Sequence, residues 1–221
     1  MCGRFTQSFT WAELVALYRL TQPARNLQPR YNIAPATMIE VVRLGHEGPE
    51  LVPMRWGLIP SWWKKTAKEV PSTFNARAET VAEKPMFRSA FKRTRCIVPS
   101  SGYFEWAQPA EGGKQPYFIS AADGGLLSIA GLWDEWKDPE TSEKVTSCTL
   151  IVTNANEFTR AIHDRMPVLL GRDEWGAWLA GKAGIELLRP APNDALRMWP
   201  VSRRVNATGR GDDDPGLIEP I

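Results

Sequence analysis

The sequence predicts an α+β fold, a single compact domain over residues 1–221 built of curved, antiparallel, barrel-like β-sheets flanked by short helices. Three observations predict it. Short β-rich runs recur along the chain with turn residues between them. Helical periodicity is confined to brief stretches. No internal repeat or linker composition divides the chain, and 221 residues with 43% hydrophobic content can bury one sizeable core.

Thr10-Trp11-Ala12-Glu13 is a capping-box pattern, and Leu14, Leu17 and Tyr18 follow at helical spacing. A helix is therefore expected at about 11–20. Pro23, Pro29 and Pro35 exclude a regular helix around Arg30-Tyr31-Asn32-Ile33-Ala34-Pro35, which reads as an ordered loop against the core. Met38–Leu44 and Glu50–Trp56 form a hairpin pattern joined by His46-Glu47-Gly48-Pro49. After a long irregular segment, Ala82–Arg93 reads as a helix with Met86, Phe87 and Phe91 inward. Strands are expected at Arg95–Pro99, Gly102–Trp106, Pro116–Ala121, Leu126–Trp133 and Thr146–Thr153. A polar loop over 160–167 precedes a strand at Val168–Leu170, a helix at Asp173–Leu179 and a last strand at Met198–Val201. From about residue 207 the chain, with Asp212-Asp213-Asp214, reads as an acidic, mobile tail.

Composition excludes several classes. Net charge is +2, which gives no global polyanion signal. Three cysteines, at 2, 96 and 148, have no metal spacing, and the odd count argues against a disulfide framework. Without a signal peptide or a long apolar run, a soluble cytoplasmic protein away from membranes is expected. Local charge says more. Between Ser61 and Arg95, nine basic residues face three acidic ones, a net +6 beside Trp62-Trp63. Basic residues can track phosphates while aromatic rings stack on bases. A solvated helix face plus core tryptophans would give the same pattern.

Five residues could make a site. If Met1 is removed, Cys2 carries an α-amine and a thiol on adjacent carbons. The amine, with a reference pKa of about 7.7–8.0, is substantially neutral at pH 7, and the thiolate is a strong nucleophile. The amine can form an imine with an aldehyde, after which sulfur closes a thiazolidine. Asn75 and Arg77 lie two apart, on one face if extended. Such an amide can orient an amine, and the guanidinium can bind phosphate. Glu105 sits among Tyr103, Phe104 and Trp106, where desolvation would raise its pKa toward the acid–base range. On an edge strand it would instead be a wet-face carboxylate. His163 can shuttle a proton or hydrogen-bond an incoming group, whereas His46 reads as an exposed turn residue.

Taken together, Met1-Cys2-Gly3-Arg4-Phe5, the 30–35 loop, Trp56-Gly57-Leu58-Ile59-Pro60, Asn75-Ala76-Arg77-Ala78-Glu79, Gly102-Tyr103-Phe104-Glu105-Trp106 and Ile162-His163-Asp164-Arg165-Met166-Pro167 resemble the SOS-response-associated peptidase family. The motifs run in the family's order over nearly the whole chain. The resemblance implies a sensor of abasic sites in single-stranded DNA, including junctions with duplex, that captures the ring-opened sugar through its N-terminal cysteine; one compact domain with its own site needs no partner chain, so a monomer is expected. It implies Cys2 as nucleophile, Glu105 as proton shuttle, His163 assisting the sugar oxygen, and Asn75 orienting the amine. Arg4 and Arg77 would bind flanking phosphates, and Trp62 and Trp63 would wedge at the duplex junction. The peptidase label implies loss of Met1, and no metal or cofactor is expected. The competing readings are an N-terminal-nucleophile amidohydrolase, as in class II glutaminases, a non-covalent single-strand binder, and an abasic-site lyase that cleaves after the imine forms.

Overall fold

The computed structural model describes residues 2–107 and 113–221. In order, the chain forms β1 (Phe5–Gln7), α1 (Trp11–Tyr18), β2 (Arg30–Ile33), β3 (Met38–Leu44), β4 (Pro49–Trp56), β5 (Asn75–Arg77), α2 (Arg88–Arg93), β6 (Arg95–Ser100) and β7 (Gly102–Ala107). It continues through β8 (Gln115–Ala121), β9 (Leu127–Lys137), β10 (Lys144–Asn154), α3 (Glu157–Arg160), β11 (Arg165–Pro167), α4 (Trp175–Leu179) and β12 (Leu196–Pro200).

Two sheets carry the fold. One has the strand order β12-β8-β7-β1-β2. The other runs β11-β10-β4-β3-β6-β9, with β5 added to β10. Because β9 also pairs with β10, the five strands β10-β4-β3-β6-β9 close on themselves as a small barrel, which removes their free edges. All six residues of β6 are buried, as expected of a barrel wall covered on both faces. Gly131 is a packing requirement: a Cβ there would lie 2.9 Å from both the Cys96 sulfur and the Thr149 carbonyl. One core packs Leu14, Tyr18, Phe91, Ile97 and Trp178; another packs Phe5, Trp56, Tyr103 and Cys148 together with Cys2.

The expected α+β class and curved sheets are present, with differences that have local causes. The sheets are not wholly antiparallel, since β10 runs parallel to β4 and β5. The first helix has its capping box, with Thr10 accepting from the Glu13 N–H, but ends at Tyr18 instead of residue 20. Arg19 turns left-handed (φ 57°), and its N–H donates to the Val15 carbonyl. Fully burying Leu14 of this helix contributes about 1.5–3 kcal/mol. The helix expected over Ala82–Arg93 forms only at Arg88–Arg93. Pro85 lacks an N–H, so residues 80–87 make separate turns, with Lys84 N donating to the Thr80 carbonyl. Arg30–Ile33 is a strand and not a loop, paired with β1. The strand placed at Val168–Leu170 lies at Arg165–Pro167, the last strand is Leu196–Pro200, and the helix placed at Asp173–Leu179 begins at Trp175.

The mobile tail is also corrected. Tyr31 and Asn32 donate from their backbone N–H groups to the Asp212 carbonyl and carboxylate, and Arg30 Nε donates to the same carboxylate at 2.6 Å. Trp199 Nε1 donates to the Ile218 carbonyl, and Leu217 is buried. The acidic residues found basic and amide partners 180 positions upstream, which local charge cannot reveal.

Candidate functional site

β1 lies between β2 and β7, with Phe5 opposite both Ile33 and Tyr103. This pairing carries Cys2, three residues earlier, into the core, where it is fully buried. Asn75 Nδ2 donates to the Cys2 carbonyl at 2.8 Å. Burial pushes the thiol well above the ordinary range, and the neighbouring Glu105 charge adds to that. The Met1 removal expected above concerns a residue outside those described.

Asn75 is placed by β5, a three-residue strand added to β10 in register Leu150 opposite Asn75. The Phe74 carbonyl is fixed by Trp56 Nε1 and the Leu150 N–H. Ala76 is fully buried, so Asn75 and Arg77 share the opposite face. Asn75 Oδ1 is buried with no hydrogen-bond partner among the described residues. Arg77 is exposed.

Glu105 is not on an edge strand: β7 runs between β1 and β8, with Glu105 opposite Tyr117. It is 3% exposed, and burial pushes its carboxyl up to about 7. A group at that value can both give and take a proton near neutrality.

His163 follows α3, whose start is capped by the Asn156 side chain accepting from Thr159 N–H. Its Nδ1 lies 3.0 Å from the Arg165 backbone nitrogen and 2.9 Å from Asp164 Oδ1. One nitrogen cannot accept from the first and donate to the second together. The Asp164 side chain is 82% exposed, so water screens it, and burial lowers the imidazole pKa. The backbone contact therefore holds His163 neutral with its proton on Nε2, a hydrogen-bond donor. Arg165 in turn pairs with Glu79 at 2.5 Å, tying this loop to the segment after β5.

Glu105 and His163 line one cavity of about 330 Å³ with Arg4, Trp106, Lys114 and Asn206. Arg4 is largely committed: Nη1 donates to Asn32 Oδ1 and the Val205 carbonyl, both at 2.6 Å, and Nη2 to Thr208 at 2.9 Å. Its Nε is buried without a partner among the described residues. Asn32 donates onward to the Ala207 and Arg210 carbonyls, and Trp106 donates to Asn206 at 2.7 Å. Glu105, His163 and Arg4 thus share the cavity, while Cys2, buried behind its lining, is acted on by the Glu105 charge and held by Asn75. Trp62 and Trp63 do not line the cavity. They stand in the segment between β4 and β5, rings 6.0 Å apart, with Trp62 44% exposed and the Trp63 carbonyl accepting from Trp136. Lys64, Lys65, Lys68, Lys84, Arg88, Lys92 and Arg93 are exposed with Arg77. Arg95 is not part of that surface: it is buried between the Phe91 and Trp178 rings and donates to the Phe91 carbonyl. Sequence reasoning did not single out Asn32, Asn206 and Lys114, whose only local signal was polarity. Among the described residues, no group of three His, Cys, Asp or Glu side chains is arranged to hold a metal, and no helix is long and apolar enough to cross a membrane.

The fold and site define a small closed barrel with a buried cysteine at position 2 beside a buried carboxyl whose pKa is about 7. Residues 1–208 match the model of the SOS response associated peptidase (SRAP) family, and the chain belongs to it. Its relatives include the abasic site processing protein YoqW of Bacillus subtilis, 36% identical with 99% of each chain covered. Two others are YedK of Escherichia coli, 32% identical with 100% of each covered, and HMCES of Gallus gallus, 33% identical over 100% of this chain and 78% of that one. An X-ray structure of a Bacteroides thetaiotaomicron protein superposes with a TM-score of 0.90 at 28% identity, covering 100% of both chains.

Proposed function

We propose that this chain processes abasic sites in DNA: it binds single-stranded DNA and captures the ring-opened sugar aldehyde on Cys2 as a thiazolidine, shielding the lesion in the DNA damage response. The relatives named as abasic site processing proteins support the lesion. The observation that carries the chemistry is the Cys2 carbonyl held by Asn75 next to a buried Glu105 whose pKa is about 7.

Loss of Met1 frees the Cys2 amine. Its lone pair attacks the aldehyde carbon, and the carbinolamine loses water, Glu105 supplying a proton to the departing hydroxyl. The sulfur then attacks the iminium carbon. A C–S bond forms, the C=N pair returns to nitrogen, and the thiol proton passes to Glu105. His163 Nε2–H steadies the sugar oxygen. Arg77, which is exposed, meets a flanking phosphate, while Arg4 holds the cavity wall through its internal partners, and Trp62 and Trp63 pack where duplex begins. The protein acts as a monomer without a cofactor, in the cytoplasm.

The test is incubation of Met1-free protein with single-stranded DNA carrying one abasic site, followed by a denaturing gel. A slower band that needs both the lesion and Cys2, and is absent in Cys2→Ala, supports the proposal. Cleaved DNA alone would mean a lyase, and unchanged DNA with glutaminase activity would mean an amidohydrolase.

A further inference from the structure

Tyr103 is a buried polar residue in the core around Cys2 that takes no part in the proposed capture. It is fully buried, and its hydroxyl has no hydrogen-bond partner among the described residues. A buried unpartnered hydroxyl carries an uncompensated desolvation penalty, and native proteins retain few. Alternation along β7 puts Tyr103 on the same face as Glu105. β1 sets Phe5 and β8 sets Ile119 directly opposite it, so neither neighbouring strand offers a polar partner in register. Tyr103 and Cys2 pack in the same core. The titratable groups acting on the phenol are Cys2, from the N-terminal segment, and Glu105, from its own strand.

We propose that Tyr103 is a positioning residue whose hydroxyl is reserved for the Cys2 sulfur, donating a hydrogen bond when the thiolate forms and holding it toward the iminium carbon. This rests on the proposed covalent capture. No proton is transferred from Tyr103. Burial chiefly, then Cys2 and Glu105, hold the phenol well above its ordinary pKa, so its O–H persists at every pH at which the protein works. Tyr103 supplies a donor to an anion that burial otherwise disfavours.

The test is Tyr103→Phe, which keeps the ring and removes only the hydroxyl. Alkylation of Cys2 by iodoacetamide is followed against pH in Met1-free protein without DNA, and cross-link formation is timed separately. Expected are a shift of the Cys2 alkylation profile to higher pH by about one unit, cross-linking about tenfold slower or more, and a melting temperature raised by about 2–4 °C. An unchanged alkylation profile overturns the assignment, as does a lower melting temperature, which would make the hydroxyl a structural partner. A wild type that never cross-links sinks the capture chemistry instead, and the alkylation arm still judges Tyr103.

Discussion

At the residue scale, Glu105 is where burial is turned to use. Its carboxyl has a pKa of about 7 in the fold against 4.5 unfolded. Below pH 4.5 both states bind the proton and stability is unaffected. Between 4.5 and 7 the unfolded chain loses its proton first, so stability falls, and above 7 the loss levels off at about 3 kcal/mol. Glu105→Gln should therefore denature at higher urea concentration than wild type at pH 8, show little difference at pH 4, and cross-link far more slowly with no inflection near pH 7. Equal urea midpoints at both pH values would contradict the burial argument. Glu105 was legible because one carboxylate stood in an aromatic run, and Cys2 because its chemistry belongs to a terminus. Arg4 read as a free cation, yet its partners Asn32, Val205 and Thr208 lie 28 to 204 positions away. A sequence records a charge without recording what the fold lays against it.

At the element scale, the segment from residue 205 onward acts as a strap. It closes one side of the cavity through Asn206 and fixes Arg4 and Asn32 through carbonyls. Asp212 clamps the strap to β2 through three acceptors, its carbonyl and both carboxylate oxygens. Asp212→Ala should cost about 1–3 kcal/mol in chemical denaturation, and slow cross-linking while leaving single-strand binding intact. A variant as stable as wild type would show that the strap is held elsewhere. The strap was illegible because acidic composition reads as solvation unless a basic partner is known. Short strands and turn residues, by contrast, recorded the longer strands from Met38 to Trp56 and from Arg95 to Thr153, while the short strand Arg30–Ile33 was masked by its flanking prolines. Helix bounds erred where a proline or a left-handed residue set them, as at Pro85 and Arg19.

At the scale of the whole molecule, the net charge of +2 conceals a basic surface running from Lys64 to Arg93. Binding to single-stranded DNA should weaken with salt, with a slope of about −0.7 per phosphate neutralised. Lys64→Ala with Lys68→Ala should reduce that slope by about 1.4. Arg95→Ala should leave it unchanged and lower stability, because that side chain is spent inside the fold. An equal loss of slope from Arg95 would place the DNA differently. Barrel closure was expected as a class, but the parallel pairing of β10 with β4 and β5, which delivers Asn75 to Cys2, joins segments about 75 to 90 residues apart. No local pattern encodes that. The measurement that bears most directly on the account is a thiol count on the denatured adduct. The chain has three cysteines. If the Cys2 sulfur closes a thiazolidine on the lesion, the adduct shows one free thiol fewer than the unreacted protein, and borohydride adds no hydrogen. An adduct that keeps all its thiols and is reduced by borohydride would be an open imine, and the central role given to sulfur would be wrong.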